Sequence, residues 1–295
     1  MEFLRIMKKT LYIAAIIICQ VFISCERLDL AGMFAGQSPD NDKRFEQSRE
    51  YIEKNGHQPY GLNQISVMKD EYKVYFSTDT HVSDTWNNLS KWSAIAENDA
   101  DCKLAIILGD LIDAQGNYPN FMKGISPLSK PWYVTTGNHD LYFGQWKDFT
   151  DYFGSSVYSF EVLTPNAKDL YICLDSGDGT LGVKQLNWLK ETLEDAQKNN
   201  YRHKLIFTHT HMFKRDLSQE FIGNYAIEET YEICDVLGKY GVDWYVTGHD
   251  HYREVSHFKD VTYIIVDTMK DSADKPAYMI ASIGDKMKYD FVELY

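Results

Sequence analysis

The chain has 295 residues, 44% hydrophobic and 25% charged, enough for one large domain or two small ones with a substantial core. Its formal net charge of -13 weighs against a general nucleic-acid binder, which would present basic surface to the phosphates, so no nucleic-acid partner is expected. An anionic substrate would need a local positive charge, and bound metal ions can supply one.

Residues 1–25 read as a targeting segment. Arg5, Lys8 and Lys9 precede an apolar run from Leu11 to Ser24, short for a membrane span and of the length of a signal h-region. The run ends in "FISC", which resembles a bacterial lipoprotein processing site, with Ser24 before Cys25 and Phe22 where a leucine-like residue is usual. The expectation is an exported protein anchored to the membrane by lipid on Cys25. The alternative is an ordinary secretory signal cut nearby, which leaves a periplasmic or extracellular protein.

Residues 26–70 read as a tether and N-terminal extension lying on the main domain of residues 71–295. Within the extension, "DNDKRFEQSREYIEKNG" predicts an amphipathic helix closed by Gly56, with Phe45, Tyr51 and Ile52 available to pack. Short apolar and β-branched runs then predict strands at "YKVYFS" (Tyr72), "KLAIIL" (Lys103), "PWYVTT" (Pro131), "LYICL" (Leu170), "KLIFT" (Lys204), "VDWYVT" (Val242), "TYIIV" (Thr262), "AYMIAS" (Ala277) and "YDFVEL" (Tyr289). The clearest helix is "LGVKQLNWLKETLEDAQK", whose Leu186, Leu189, Leu193 and Ala196 form one face. "SGDGTLG" at Ser176 lacks a P-loop's Lys-Ser/Thr ending and reads as the turn before that helix. Strands alternating with helices early and clustering late imply a layered α/β domain with mixed sheets. Cys102, Cys173 and Cys234 are widely spaced and odd in number, and are expected as small buried hydrophobes.

Residues of metal-binding type fall just after these strands, where open α/β sheets place ligand sites. "FSTDTH" carries Asp79 and His81, "ILGDLID" carries Asp110 and Asp113, and "TTGNHD" carries Asn138, His139 and Asp140. "FTHTH" adds His209 and His211, and "VTGHDH" adds His249 and His251, whose alternate side chains can reach a common point from an extended segment. Taken singly, a DTH is more often a capped turn and a GD a loop. The ordered set points to five strand ends converging on one crevice. His57, His203 and His257 fall outside it and are expected in solvent.

The set resembles the calcineurin-like metallophosphoesterases, whose pattern is DxH, GDxxD, GNH with a following acidic residue, an isolated His, then GHxH. Here these are DTH, GDLID, GNHD, His209 and GHDH, within a resemblance covering roughly Tyr72 to Tyr295. It implies a four-layer αββα sandwich, an α/β fold with two mixed sheets around a dinuclear metal site. Two cations about 3.5 to 4 Å apart need a shared carboxylate and a bridging water, whose pKa they lower until hydroxide is available near neutrality. Asp110 is the natural bridge. By resemblance one metal takes Asp79, His81 and His251, and the other takes Asn138, His209 and His249. Mixed oxygen and nitrogen ligands suit two divalent ions of Mn, Fe or Zn better than Ca.

His139 is similar to the family histidine that protonates or stabilises the leaving oxygen, and Asp113 matches the position that pairs with it; without the family, Asp113 reads as a helix N-cap. His211 is either a substrate contact or a loop histidine, and Asp140 and Asp250 are expected as loop residues or as partners of the ligands. In purple acid phosphatases a tyrosine stands where Asp113 does, so a colourless protein is expected. In Ser/Thr protein phosphatases an arginine that grips the phosphomonoester follows the second aspartate, where this chain has Ala114. The reading is therefore a metal-dependent phosphoesterase leaning toward phosphodiesters on a small phosphate-ester substrate. Its alternatives are a phosphomonoesterase on nucleotides or sugar phosphates and a noncatalytic metal-containing surface binding protein.

Overall fold

The computed structural model describes residues 38–213 and 225–295. The targeting segment, Cys25 and the start of the tether lie outside the described residues. No helix among them is long and apolar enough to cross a membrane.

The extension forms helix α1 (Asn41–Asn55). Asp40 caps it by accepting from Lys43 N at 2.9 Å, and Gly56 ends it in the left-handed conformation at φ 82. Its buried face differs from the expected one. Asn41, Arg44 and Ser48, spaced as one helical stripe, are buried, while Phe45, Tyr51 and Ile52 are half-buried. The surface beneath is polar: Arg44 forks onto Asp175 at 3.0 and 3.1 Å and onto Asp178 at 3.0 Å, and Asn41 donates to Thr180 O at 2.8 Å. The helix docks by pairing charges, with apolar contacts at its edges.

A five-stranded sheet contains β2 (Tyr72–Ser77), β3 (Cys102–Ile107), β4 (Trp132–Val134), β11 (Ala277–Ile283) and β12 (Lys288–Glu293) in the order β12-β11-β2-β3-β4. The seven-stranded sheet contains β1 (Gln64–Ser66), β5 (Tyr158–Leu163), β6 (Lys168–Cys173), β7 (His203–Phe207), β8 (Trp244–Thr247), β9 (Glu254–Phe258) and β10 (Val261–Ile265), ordered β1-β5-β6-β7-β8-β10-β9. Both are mixed. β2-β3-β4 and β6-β7-β8-β10 run parallel, with antiparallel partners outside them. The predicted strands all form; β1, β5 and β9 are additional. β1 and β9 are edge strands, and β9 alternates little because neither of its faces is fully buried.

One core lies between the sheets, where Val74, Phe76, Leu104 and Ile106 meet Tyr171, Leu205, Phe207 and Val246. The outer face of the five-stranded sheet, through Tyr75, Ala105 and Ile107, packs on α2 (Asn87–Asn98), α3 (Tyr118–Ile125) and α4 (Trp146–Phe153). The outer face of the seven-stranded sheet packs on α5 (Gly182–Gln197) and α6 (Ile227–Lys239), and α5 presents the expected Leu186, Leu189, Leu193 and Ala196. These are the four layers of an αββα sandwich. Central strands buried on both faces read as continuous apolar runs, which made them easy to find.

Cys102, Cys173 and Cys234 are free and buried. His57 and His257 are exposed, but His203 is buried, contrary to expectation. It opens β7 under the turn after β11, with Nε2 2.8 Å from Gly284 O, which replaces solvent on that side, and Nδ1 facing Asp243 Oδ1 at 3.5 Å without a well-formed hydrogen bond.

Candidate metal centre

The parallel strands β2, β3, β4, β7 and β8 end at the same edge of the sandwich, and each delivers one motif there. The backbone then turns abruptly. Of the nine non-glycine residues with positive φ among the described residues, five are in these motifs: Asp79, His81, Asp110, His249 and His251, with φ of 48, 40, 49, 75 and 56. Such a conformation costs a non-glycine residue about 1 kcal/mol and persists where the surroundings over-determine it. Asp79 N donates to Gly109 O at 3.1 Å, His81 N to Asp110 O at 3.0 Å, and His249 N to Asp79 Oδ2 at 2.8 Å. The loops pass so closely that a Cβ on Gly137 would lie 2.1 Å from Asp110 Oδ1, and one on Gly248 would lie 1.9 Å from Thr78 Oγ1. Glycine in GNH and GHDH is thus a requirement of close approach.

Three groups of side chains bring ligand-type atoms within 4.8 Å of one another: Asp79, His81 and His251; Asp110, His209 and His249; and His81, Asp113 and His139. In the first, His81 Nε2 faces His251 Nε2 at 3.1 Å, and Asp79 Oδ1 lies 3.2 Å from His251 Nε2. In the second, His209 Nε2 lies 3.1 Å from both His249 Nδ1 and Asn138 Oδ1, which brings Asn138 to this set. His209 Nδ1 donates to Leu108 O at 2.7 Å, so the ring is oriented from behind with Nε2 toward the crevice. Asp110 stands between the sets: its Oδ2 is 3.7 Å from His81 Nε2 and 3.5 Å from His209 Nε2.

The electrostatics ask for positive charge. Burial works against ionising Asp79 and Asp110, yet His251 and His209 hold Asp79, and His209 and His139 hold Asp110, well below the ordinary carboxylate range. Burial likewise opposes charge on His209, but Asp110 and Asp79 prevail and lift its pKa to about 10. His249 is half-buried, and its loss of solvent together with that neighbouring imidazole lowers it to about 4. Imidazole nitrogens face each other across hydrogen-bond distance around two buried carboxylates, and Asp79 Oδ1 has no well-formed hydrogen bond. Such a donor set fits divalent cations, which would replace the protons as counter-charge.

His139 sits at the rim with its side chain 29% exposed. Its backbone N–H donates to Asp110 Oδ1 at 2.8 Å, and its ring packs edge-on to His81 with centroids 4.5 Å apart. Asp113 is near His139 but nearer His81: its Oδ1 is 3.9 Å from His139 Nδ1 and 3.6 Å from His81 Nδ1. His81 is the main cause that holds the Asp113 carboxyl below its ordinary value. The shorter approach to His139 Nδ1 comes from Asp113 O, at 3.4 Å.

His211 turns away from solvent; it is buried, with Nε2 3.0 Å from Asp250 Oδ2. Burial opposes ionisation of Asp250, and His211 overcomes it and keeps that carboxyl low. Asp140 is fully buried and accepts from Gly137 N at 2.9 Å, Leu111 N at 3.3 Å and Tyr118 OH at 3.1 Å, tying the second motif to the third. Burial and then Asp110 push its pKa up to about 7. Sequence reasoning missed the support that reaches the site from elsewhere: the Tyr118 hydroxyl on Asp140, Tyr142 against Asn138, and Thr268 on Asp79 O. None stands at a telling spacing, although a buried tyrosine in an apolar helix always invites the question of what its hydroxyl meets.

No curated protein matches the chain. Among solved structures, the fold is similar to GAP50, the anchor in the inner membrane complex of Plasmodium, with TM-score 0.58 and 14% identity over 76% of this chain and 84% of that one. It is also similar to purple acid phosphatase PPD1 from seeds of yellow lupin (Lupinus luteus), with TM-score 0.61 and 13% identity over 77% of this chain. This chain spans about half of that protein, 52% of its length. At such identities the likeness is one of fold. Residues 72–253 match the sequence profile of the calcineurin-like phosphoesterases, and with the motif residues gathered at one sheet edge this chain belongs to that family.

Proposed function

We propose that the chain hydrolyses phosphate esters with two divalent cations, of Mn, Fe or Zn, and favours diesters. The observation that carries this is Asp110 Oδ2 lying within 3.7 Å of an imidazole of each ligand set, which suits one carboxylate shared by two ions. Asp79, His81 and His251 would hold one ion, and Asn138, His209 and His249 the other. When bound, the pair would acidify a water and offset phosphate charge. His139 is exposed enough to meet the leaving oxygen and to give it a proton, while its backbone N–H on Asp110 and its ring on His81 fix where that proton is delivered. Asp113 orients both rings, with its carbonyl toward His139 and its carboxylate shared between His139 and His81. His211 acts by bracing Asp250, and through it the turn that carries His249 and His251. The lean to diesters rests on Ala114, which leaves no arginine beside Asp113 for a dianionic phosphate. A phosphomonoesterase is the second reading, favoured by Lys270 on the segment that joins β10 to β11.

Metal-stripped protein resupplied with manganese is expected to cleave bis-p-nitrophenyl phosphate faster than p-nitrophenyl phosphate. Preference for the monoester would promote the second reading, and no cleavage of either with metal bound would move weight to a binding protein. In the same assay His139→Ala should lower turnover by about 10²–10⁴-fold on a substrate with a poor leaving group, with metal content unchanged. Full activity in that variant would remove His139 from the proton-donor role.

A further inference from the structure

The five motifs carry no lysine or arginine, and a phosphate entering the crevice meets Asp79, Asp110 and Asp113. Among the described residues, Lys270 adjoins the site from outside them. The segment joining β10 to β11 crosses from one sheet to the other along the crevice, and Lys270 lies on it. Thr268 Oγ1 donates to Asp79 O at 2.9 Å and Met269 N to Thr78 O at 3.1 Å, which anchors the residues before it. Asn88 Nδ2 donates to Lys270 O at 3.0 Å, and Asp271 accepts from Asn87 N and Asn88 N at 3.0 and 2.7 Å, which anchors it to the start of α2.

Lys270 is half-buried, and among the described residues its ammonium makes neither hydrogen bond nor ion pair. Two other partly shielded lysines find carboxylates, Lys73 with Asp99 at 2.8 Å and Lys190 with Glu232 at 2.6 Å, and Lys130 donates to the carbonyls of Ala96, Glu97 and Asp99. The bonds of Thr268 and Met269 to Asp79 O and Thr78 O set Lys270 directly after the two residues that touch the first ligand motif. A half-buried lysine with no partner among the described residues, next to the first ligand motif, is a recognition group open to an anion.

We infer that Lys270 binds a peripheral oxygen of the scissile phosphate and sets how well a dianionic phosphate is accepted. This rests on the phosphoesterase reading and deepens it. Lys270 supplies the charge that Ala114 does not, from a different part of the chain. A monoester dianion or inorganic phosphate gains about twice the attraction of a diester monoanion from one fixed cation. Losing the lysine should therefore penalise monoesters more than diesters.

The test uses the manganese-loaded chain, Lys270→Ala and Lys270→Arg. Inorganic phosphate is titrated into each by calorimetry, and kcat and KM are measured for p-nitrophenyl phosphate and bis-p-nitrophenyl phosphate. Lys270→Ala is expected to weaken phosphate binding about tenfold, the scale of a charge-assisted hydrogen bond. It should raise KM for the monoester more than for the diester, and Lys270→Arg should restore most of both. Unchanged phosphate affinity in Lys270→Ala would overturn the inference and leave the lysine as a counter-charge to Asp113. If the unsubstituted protein cleaves neither ester but phosphate binding still falls tenfold in Lys270→Ala, the hydrolase reading fails and the lysine stands as an anion-binding residue.

Discussion

An Asp110→Asn variant is expected to lose its bound manganese and, with it, hydrolysis by about 10³-fold or more, because several kcal/mol of transition-state stabilisation depends on the ions. The change removes one charge and almost no volume. Asp110 Oδ1 accepts from His139 N at 2.8 Å, and an asparagine oxygen can keep that bond. The other position would then carry an NH2 group facing His209 Nε2 at 3.5 Å and His81 Nε2 at 3.7 Å, donors where cations need a lone pair. The counter-charge that lifts His209 to about 10 would weaken too, since Asp110 is the first of its causes after burial. Elemental analysis of metal per chain, alongside turnover, checks this. Full metal content with lost turnover would make Asp110 a reaction-step residue and not a ligand.

Arg44→Met is expected to cost about 3–5 kcal/mol of stability at neutral pH, the range for breaking a buried ion pair from one side. Arg44 and Asp175 each have side chains only 1% exposed, and Asp175 is left with Ser156 Oγ and Gly177 N as donors when the guanidinium goes. For a domain of this size the melting temperature should fall by on the order of 10 °C. The pH dependence gives the cause its signature. In the native protein burial opposes ionisation of Asp175, but Arg44 holds its carboxyl below the ordinary value, so its contribution is complete above the unfolded pKa of about 3.9 and is lost only as pH falls through the lower folded value. Without Arg44, burial dominates and the folded pKa rises above the unfolded one, so acidification protonates Asp175 and recovers stability. The deficit measured by urea denaturation should therefore shrink between about pH 7 and pH 5. A deficit independent of pH would mean that packing, not charge, is what Arg44 contributes.

The central strands and the ligand motifs were legible in the sequence for the same reason. β2, β3, β7 and β8 are buried on both faces, so each is an apolar run, and the polar residues that interrupt it are conspicuous at its end. Edge strands carry no such contrast: β9 is exposed or half-buried along its whole length. β5 was readable in principle, since Tyr158, Phe160 and Val162 alternate with half-buried neighbours. The docking face of α1 was not, because an arginine at helical spacing reads as a solvated charge until its partner is known, and Asp175 lies 131 residues away. Asp113 shows the finer limit: its position announced a partnership with a histidine, but only the fold shows that His81 is nearer than His139.

The left-handed turns at Asp79, His81, Asp110, His249 and His251 set function against stability at the same five positions. Glycine at any of them would relieve up to about 1 kcal/mol of backbone strain, and at Asp79 and Asp110 would also relieve the chain of a buried carboxylate. A population of variants selected only for survival on heating would thus find some of its easiest gains inside the metal centre. The motif persists against a steady thermodynamic pull toward its own erasure, and a relative of this chain that no longer hydrolysed anything would betray the change there first, in turns relaxed to glycine beneath an unaltered sandwich.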